Sequence, residues 1–563
     1  MIDSLPPGWL LIFGGLLVPL LRGRGRSAYM LLLPALGFLQ LLMISHGDLL
    51  QVSVFDYSLT PVRVDRLSLV FGYIFHIAAF IGMVFALRVK DPGQHVAAFV
   101  YAGSAIGAVF AGDLITLFVY WELAATSSVF LIWARRSERS YRAGMRYLIF
   151  QITSGVLLLA GALAHVHETG SLAFDYLGLG SLGGTLIFIA FGIKCAFPLL
   201  HNWLEDAYPE ATVTGTVFLS AFTTKMAIYA LARGFPGTEL LVWIGAAMTA
   251  FPIFFAVIVN DLRRVLTYSM NNQLGFMVVG VGIGTNLALN GAAAHAFADI
   301  LFKGVLFMSM GAVLLRTGTM KGSELGGLYK SMPWTAGFCM VGAASISAFP
   351  FFSGFATKSL IISATAENHY TWVYFVLLFA SAGVFHHSGI KIPYFAFFAH
   401  DSGIRCKEAP RNMLIAMGLA AALCIGIGVF PALLYGVLPF PVDYEPYTAT
   451  HVISQLQLLF WSAVAFAWLN WVGLYPPELR SVNLDSDWIY RRLVPSALGP
   501  VVRGGTRLWT GVLERAGRHI TATIQTVHRH HGPEGILERT WPTGSMALWV
   551  AVLLAILLLL YFT

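Results

Sequence analysis

Five ionisable residues lie inside stretches that are otherwise apolar: Glu122, Lys194, Lys225, Lys303 and Lys358. An ionised side chain at membrane depth costs about 2.5–3.5 kcal/mol on insertion scales, so such residues usually have a function. Amines and carboxylates that share an apolar interior can exchange protons or bind cations. The set therefore predicts a buried path for protons or cations. Any one member alone is equally well explained as a structural ion pair or as a lysine whose amine reaches the interface.

His295 and Asp299 extend this set, because they precede Lys303 by eight and four residues. At that spacing all three lie on one face of a helix. A histidine beside a carboxylate and an amine is typical of a proton relay. A second and weaker group of pathway candidates is His201, His387 and Lys391. For the last two, an exit path and a plain helix end both remain open.

The composition indicates which elements must position these residues. The chain has 563 residues, of which 57% are hydrophobic and 11% charged, with a mean hydropathy of +0.73. A soluble domain would carry about 25% charged residues, and the membrane interior favours helices, whose backbone groups bond internally. We therefore expect an all-α, polytopic bundle of about 16 transmembrane helices. Their approximate centres are Phe13, Leu36, Ala78, Ala102, Thr126, Leu157, Phe191, Ala221, Ala250, Val278, Met308, Ala343, Phe379, Ala421, Val464 and Leu553.

The charges of the loops alternate along the chain. Basic loops fall on one side of the membrane, and the loops of the opposite side are mostly acidic or neutral. The basic loops are residues 22–26, 88–90, 135–142, 263–264, 321–330 and 405–411. Because cytoplasmic loops carry the excess of Lys and Arg, this predicts a multi-pass protein of the cell (inner) membrane with both termini on the non-cytoplasmic side. The loop 201–210 is acidic, an exception on the cytoplasmic side.

Two of the lysines lie beside helix breakers. Pro198 follows Lys194 by four residues, and Pro350 and Gly354 precede Lys358. Proline removes a helical hydrogen bond, and paired broken helices in two halves are typical of inverted-repeat transporters. We therefore expect two broken helices in two inverted-topology repeats. The predicted regions are N-terminal helices (1–95), a first repeat (96–236), a second repeat (237–395), C-terminal core helices (396–478) and a surface helix or linker with a final span (479–563).

The sequence predicts no cofactor and no nucleic-acid partner. The four cysteines are scattered without a Cys-x-x-Cys pair, and the net charge of +7 is spread between apolar segments. A Gly-x-Gly-x-x-Gly match at 178–183 lies between two spans, where the strand and helix of a dinucleotide site are not expected. The mixed basic and aliphatic stretch 503–531 fits a helix on the cytoplasmic membrane surface, and a solvated linker is an equal alternative.

Several motifs together resemble one family. They are Gly112-Asp113 through Trp121-Glu122, Lys194 through Pro198 to His201-Asn202-Trp203, Asp261 through Ser269, His295 through Lys303, and Ser353-Gly354-Phe355 with Lys358. From about Val64 to Phe430 the chain is similar to the antiporter-like membrane subunits shared by Mrp-type cation/proton antiporters, respiratory complex I and membrane-bound hydrogenases. Later segments, around residues 484–492, favour the Mrp D-type subunit.

This resemblance implies roles for the matching positions. Glu122 would pair with Lys194, Lys225 would pass the proton inward, His295 and Lys303 would carry it along a hydrated axis, and Lys358 would face the exit. The sequence departs from the family pattern in three places: Asp299 stands where a second histidine is common, Glu205 replaces a common proline, and the segment His386 to Pro393 is unusual.

Three functions remain open from the sequence. The first is an ion-translocating subunit of a sodium–proton antiporter, in which protons and Na⁺ cross the membrane. The second is a proton-pumping subunit of a complex I-like or hydrogenase-type redox enzyme, with the chemistry in partner chains. The third is a module of another ion-coupled complex, such as one for inorganic-carbon uptake. All three imply other membrane subunits in a hetero-oligomer.

Overall fold

The structure is a computed structural model, and it describes residues 5–54, 57–475, 485–532, 535 and 542–562. The chain divides into two compact units, Met1–Asn483 and Leu484–Thr563. The first unit holds every candidate residue named above. Within the described ranges the fold is an all-α bundle of membrane-spanning helices with one short β-hairpin, so the predicted fold class is confirmed.

The helices of the first unit follow one another with short connections. The N-terminal part contains α1 (Trp9–Leu16), α2 (Gly23–Met43), α3 (Arg66–Ala86) and α4 (Pro92–Phe110). The first half of the central region contains α5 (Leu114–Trp133), α6 (Glu138–Thr169), α7 (Leu182–Lys194), α8 (Asn202–Ala207), α9 (Val213–Ala221) and α10 (Thr223–Gly234). The second half contains α11 (Glu239–Ile258), α12 (Leu262–Ile283), α13 (Asn286–Thr317), α14 (Pro333–Ile346), α15 (Ser353–Glu367) and α16 (Thr371–Val384). The unit ends with α17 (Arg411–Val429), α18 (Ala432–Tyr435) and α19 (Ala449–Trp471).

All sixteen predicted span centres fall on α-helices, and twelve of the described spans are long and apolar enough to cross a membrane. The other four centres lie on α1, α7, α12 and α14. Three of these helices are short pieces of 8, 13 and 14 residues. The fourth, α12, is 22 residues long but carries a run of hydroxyl and amide side chains at 267–273.

One element was not predicted. Residues 47–64, which the sequence suggested to be a loop, form an antiparallel hairpin of β1 (Gly47–Val54) and β2 (Tyr57–Val64). Val52 lies opposite Leu59, and the register shifts between Asp48 and Val52. The alternation of β-branched and polar residues is the physical reason for the strands.

The same two-bond link occurs once in each half. In the first half, Leu114 N–H donates to the Leu172 carbonyl and Phe174 N–H to the Gly112 carbonyl, both at 2.9 Å. In the second half, Leu262 N–H donates to Met320 and Gly322 N–H to Asn260, again at 2.9 Å. In each link an aspartate, Asp113 or Asp261, lies between the two bonded residues, and its carboxylate caps the following helix. The two halves thus share a local motif, and the boundaries of the repeats stay a prediction.

Each half also contains a broken helix. The chain leaves α7 at Lys194 and enters α8 at Asn202, with Ala196 and Leu199 at φ 61° and 70°. It leaves α14 at Ile346 and enters α15 at Ser353, with Ala348 and Phe351 at φ 57° and 72°. Both breaks read Ala-Phe-Pro followed by two bulky apolar residues. The left-handed residues therefore recur at matching positions of a short repeated sequence.

Two other helices are irregular near candidate residues. A bend at Phe222 separates α9 from α10 just before Lys225. Beyond α16 the backbone winds into π-helical turns, Phe385–Lys391 and Tyr394–Phe398. Irregular backbone at membrane depth is tolerated where it is buried in protein or lines a cavity.

The second unit consists of π-helical turn Ile489–Leu493, α20 (Val494–His531) and α21 (Thr543–Phe562). Of the two alternatives for residues 503–531, a helix and a linker, the structure has a helix, which is part of α20, and the last predicted span lies on α21. None of the described side chains of α20 is buried. Its position at a membrane surface stays a prediction.

Candidate functional site

The candidate residues come from five helices of the first unit and form a row of buried ionisable groups. Six of the seven main candidates are at most 1% exposed: Lys194, Lys225, His295, Asp299, Lys303 and Lys358. Glu122 is half-buried on α5. Because uncompensated charge is costly in such an interior, the partners of each group decide what the row can do.

Lys194 ends α7 and reaches α5. Its Nζ donates to the Trp121 carbonyl at 2.7 Å and lies 4.4 Å from the centre of the Trp121 indole ring. Among the described residues, no ion pair closer than 4.0 Å joins Lys194 to Glu122, and Glu122 Oε1 has no hydrogen-bond partner. The Glu122 carboxylate packs against Gly155 of α6 instead, where an added Cβ would overlap it. Glu122 is thus held near Lys194 through the adjacent residue, without a direct ion pair between the two side chains in the described part of the chain.

Lys225 and Asp299 form a fully buried ion pair between the two halves. Lys225 Nζ lies 2.6 Å from Asp299 Oδ2, and both side chains are fully buried. The same amine donates to the Ser220 carbonyl at 3.0 Å. The carboxylate that the sequence placed on one face with His295 and Lys303 therefore has its counter-ion on another helix, α10.

Lys303 and His295 find neutral partners on α12. Lys303 Nζ donates to Ser269 Oγ at 2.6 Å and to the Leu266 carbonyl at 3.4 Å. His295 Nε2 lies 3.0 Å from Gln273 Oε1, and its Nδ1 lies 3.1 Å from Thr357 Oγ1. The imidazole thus links α12 with α15.

Lys358 lies in α15, after the second break. Its Nζ donates to the carbonyl of Ile346 at 2.9 Å, on the other side of the break. The amine also lies 5.0 Å from the centre of the Phe276 ring, a cation–π distance. Thr357, which precedes it, holds His295.

One face of α12 supplies partners to three of these groups, and the sequence analysis missed it. Ser269, Gln273 and Phe276 contact Lys303, His295 and Lys358 respectively. Their spacing of four and three residues places them on one side of the helix. The run of hydroxyl and amide residues in an otherwise apolar helix was the available signal, because buried polar groups need partners.

The three secondary candidates have different surroundings. Lys391 is fully buried and donates to the carbonyls of Ala256, Val257 and Val259, at 3.2, 2.6 and 2.8 Å, at the end of α11. His201 precedes α8, with its ring 4.6 Å from that of Phe251. His387 is fully buried in the π-helical turn beyond α16.

The balance of charge in this interior is uneven. The fully buried lysines are Lys194, Lys225, Lys303, Lys358 and Lys391, whereas the fully buried carboxylate among the candidates is Asp299. Lys194, Lys303 and Lys358 are described with carbonyl, hydroxyl or aromatic partners, which can hold either a neutral or a charged amine. The row can therefore gain and lose protons without breaking a direct ion pair at every step.

Comparison with known proteins identifies a family that the chain matches over more than half of its length. The family model described as "NADH:quinone oxidoreductase/Mrp antiporter, TM" matches residues 111–431. Hydrogenase-4 component B of Escherichia coli (strain K12) is 27% identical over 423 residues, which cover 67% of this chain and 63% of that protein. The NADH-quinone oxidoreductase N subunit of Desulforudis audaxviator is 32% identical over 315 residues, 52% of this chain and 62% of that protein.

A third relative comes from an antiporter. The Na(+)/H(+) antiporter D subunit of Alkalihalophilus pseudofirmus is 30% identical over 284 residues, 47% of this chain and 58% of that protein. The chain thus spans about three fifths of the length of these curated relatives.

Two solved structures share the fold. A chain of the Mrp complex from Dietzia sp. DQ12-45-1b gives a TM-score of 0.78 at 23% identity, over 92% of this chain and 62% of that one. A chain of the membrane-bound sulfane sulfur reductase, an archaeal respiratory membrane complex, gives 0.70 at 21% identity, over 98% and 99%.

Proposed function

The chain belongs to the NADH:quinone oxidoreductase/Mrp antiporter family, and we propose that it is a proton- and cation-translocating subunit of a multi-subunit Mrp-type Na⁺/H⁺ antiporter. The observation that carries this proposal is the row of fully buried lysines with neutral oxygen partners, interrupted by one ion pair. A purely structural role would require each ammonium group to have a fixed counter-ion.

In this proposal the proton moves along the row from the first half to the second. Lys194 takes up the proton beside Glu122, and Lys225 passes it across the boundary between the halves. His295 and Lys303 carry it along α12, and Lys358 releases it beyond the second break. Water molecules would bridge the steps that side chains do not span directly.

The contacts of Lys194 and Lys225 suggest how the steps are coupled. Glu122 has one oxygen without a partner among the described residues, so a small movement of α5 or α7 can bring it onto Lys194. An ion pair formed there holds the proton on Lys194, and its loss releases the proton to Lys225. Protonation of Lys225 strengthens its attraction to Asp299.

A redox-driven proton pump is the second candidate. The similarity to hydrogenase-4 component B and to an NADH-quinone oxidoreductase component supports it, because both relatives are named as parts of redox enzymes. In that case the same buried row moves protons, and partner chains supply the electrons. The two functions differ in their driving force and share the path.

Several features of the assembly follow from the proposal. We expect other membrane subunits around this chain, as in the Mrp complex with which it shares its fold. We place the protein in the cell (inner) membrane with both termini on the non-cytoplasmic side, because of the alternation of basic loops. Protons and Na⁺ would be the transported ions.

The test is a ΔpH assay in everted vesicles that contain the whole native complex, with Na⁺, K⁺ or Li⁺ added. Lys194→Ala should abolish cation-dependent dissipation of the pH gradient, whereas Lys407→Ala, a matched change of an exposed loop lysine, should leave it intact. Full transport by Lys194→Ala would reject the proposed path. Pumping that needs NADH or another reductant and ignores cations would establish the redox-driven function instead.

A further inference from the structure

A chain of hydrogen bonds starts at Lys303 and leads away from the row of buried groups. Lys303 Nζ contacts Ser269 Oγ at 2.6 Å, and Ser388 Oγ contacts Ser269 Oγ at 2.7 Å. His387 Nδ1 lies 2.9 Å from Ser388 Oγ. These four residues, which we name the serine branch, come from α13, α12 and the π-helical turn, and all are fully buried.

The two outer members of the serine branch are adjacent residues of the π-helical turn Phe385–Lys391. His387 and Ser388 are both buried there, and their side chains contact each other. Such turns often occur at functional sites. The turn is fixed by Lys391, which donates to three carbonyls at the end of α11.

The outer end of the serine branch is a second ring nitrogen. His387 Nε2 is buried and has no hydrogen-bond partner among the described residues. A buried ring nitrogen that is left without a partner costs free energy unless water or another group reaches it. The outer end of the serine branch is therefore open to water or to another group.

A cavity lies beside His386, the residue that precedes His387. His386 lines a cavity of about 550 Å³ together with Ser454, Gln457 and Ser462 of α19. His386 Nε2 is also buried without a partner in the described part of the chain, and its ring packs against Phe466 and Tyr475, with centres 5.3 and 5.4 Å apart. The cavity is roomy and polar enough on one wall to hold water.

We propose that the serine branch is a side entrance through which protons from water in this cavity reach Lys303. The proposal rests on the proposed function, since it needs a relay to feed. It assigns Ser269 and Ser388 as proton carriers, and His387 as the group that receives the proton from the cavity past His386.

The proton transfer along the serine branch needs no reactant other than water. His387 takes a proton on Nε2 and gives its Nδ1 proton to Ser388 Oγ, and Ser388 gives its own proton to Ser269 Oγ. Ser269 then gives its proton to the neutral amine of Lys303, which becomes an ammonium group. The Ser388 hydroxyl donates to Ser269 Oγ as this transfer needs. Lys303 donates to Ser269 Oγ, so Lys303 must first lose a proton for its neutral amine to accept one. Each hydroxyl has one proton and two lone pairs, so rotation of both restores the serines. A flip of the His387 ring returns a protonated nitrogen to face Ser388, which completes the reset.

The first test measures ion-driven proton flux in everted vesicles with the whole complex, normalised to the amount of this chain in the membrane. Ser388→Ala should slow the flux at least five-fold, Ser388→Thr should keep most of it because the hydroxyl remains, and His387→Gln should match Ser388→Ala. Ser381→Ala, a buried serine of α16 outside the branch, is the matched control. Normal flux in Ser388→Ala and His387→Gln would overturn the side entrance while the main path stands. Absence of any flux in the wild-type complex would instead reject the proposed function.

The second test asks whether water reaches the cavity. With Cys406→Ser as background, a cysteine replacing Gln457 in the cavity wall should react with a charged, membrane-impermeant thiol reagent. A cysteine replacing Phe460, an exposed residue of α19 outside this cavity, should react with lipophilic reagents alone. Labelling of the Gln457→Cys variant by lipophilic reagents alone would overturn the side entrance, because lipid would then fill the cavity.

Discussion

The two broken helices share a backbone design but place their lysines on opposite sides of the break. Lys194 is the last residue of α7, before the break, and its amine binds the Trp121 carbonyl of another helix, α5. Lys358 lies in α15, after the break, and its amine reaches back to the Ile346 carbonyl at the end of α14. The repeated Ala-Phe-Pro sequence therefore serves two different arrangements.

This difference indicates what controls each amine. The surroundings of Lys194 depend on the position of α5, which also carries Glu122. Those of Lys358 depend on the geometry of its own break, since the acceptor belongs to the same broken helix. Movement between helices can thus change the first site, and bending at the break can change the second. The Lys225–Asp299 ion pair links the two halves within the row itself.

The largest expected effect comes from cutting that link. Asp299→Ala leaves the Lys225 ammonium buried without a counter-ion, which should cost about 3–5 kcal/mol of stability. The double variant Lys225→Met with Asp299→Leu should recover most of this loss, because no buried charge remains, yet it should not transport. Thermal unfolding of the purified protein in detergent and the vesicle assay would show both results. An Asp299→Ala protein as stable as the wild type would mean that the pair is not a fixed contact.

A smaller loss is expected at the second break. A Cβ at Gly354 would overlap the Ser345 carbonyl oxygen, which belongs to the backbone and cannot turn away. Gly354→Ala should therefore destabilise the protein by about 1–3 kcal/mol and disturb Lys358. Gly337→Ala on α14, where an added Cβ meets nothing within 4 Å, is the control. The first break has Asn202 at the matching position, so a Gly354→Asn protein with normal stability would show that the two breaks are interchangeable.

The first lysine should respond to a change that touches neither it nor its carboxylate. Gly155→Ala would push the flexible Glu122 side chain aside. We expect a five- to ten-fold slower flux, about 1 kcal/mol on the barrier, with stability nearly unchanged. Gly426→Ala on α17 is a control without a neighbour within 4 Å. Normal flux in the Gly155→Ala vesicles would argue against a role for the placement of Glu122.

The smallest effect concerns the left-handed alanines. Ala196→Gly and Ala348→Gly remove a steric cost of about 1–2 kcal/mol and add about 0.5–1 kcal/mol of lost chain entropy. Both variants should be up to about 1 kcal/mol more stable in thermal unfolding. If one of the two glycine variants is less stable than the wild type and the other is not, the two breaks differ in their backbone as well as in their lysines.

The sequence predicted the helices well because the bilayer fixes the length and hydropathy of a span. Each of the sixteen centres lies on a helix, and both proline-containing segments are breaks. The hairpin was missed because acidic residues such as Asp48 suggested a solvated loop. The alternation of Val52 and Val54, with Val62 and Val64 in the second strand, was the signal for strands.

The sequence predicted which residues form the site but not which of them contact one another. The cost of burying a charge singles out a lysine such as Lys303 from the sequence alone. Its partner Ser269 could not be found in the same way, because the contact depends on which helices are neighbours. The Lys225–Asp299 pair joins residues far apart in the chain, and no periodicity within one helix reveals it. The proton-path roles of these residues stay predictions.

The same ion pair also sets a condition on synthesis. Asp299 follows Lys225 by 74 residues, and chains grow at about 5–20 residues per second. Lys225 is therefore synthesised roughly 4 to 15 s before its counter-ion. During that interval α10 must wait beside the translocon or keep its amine hydrated. Biogenesis of the first half consequently depends on the arrival of the second.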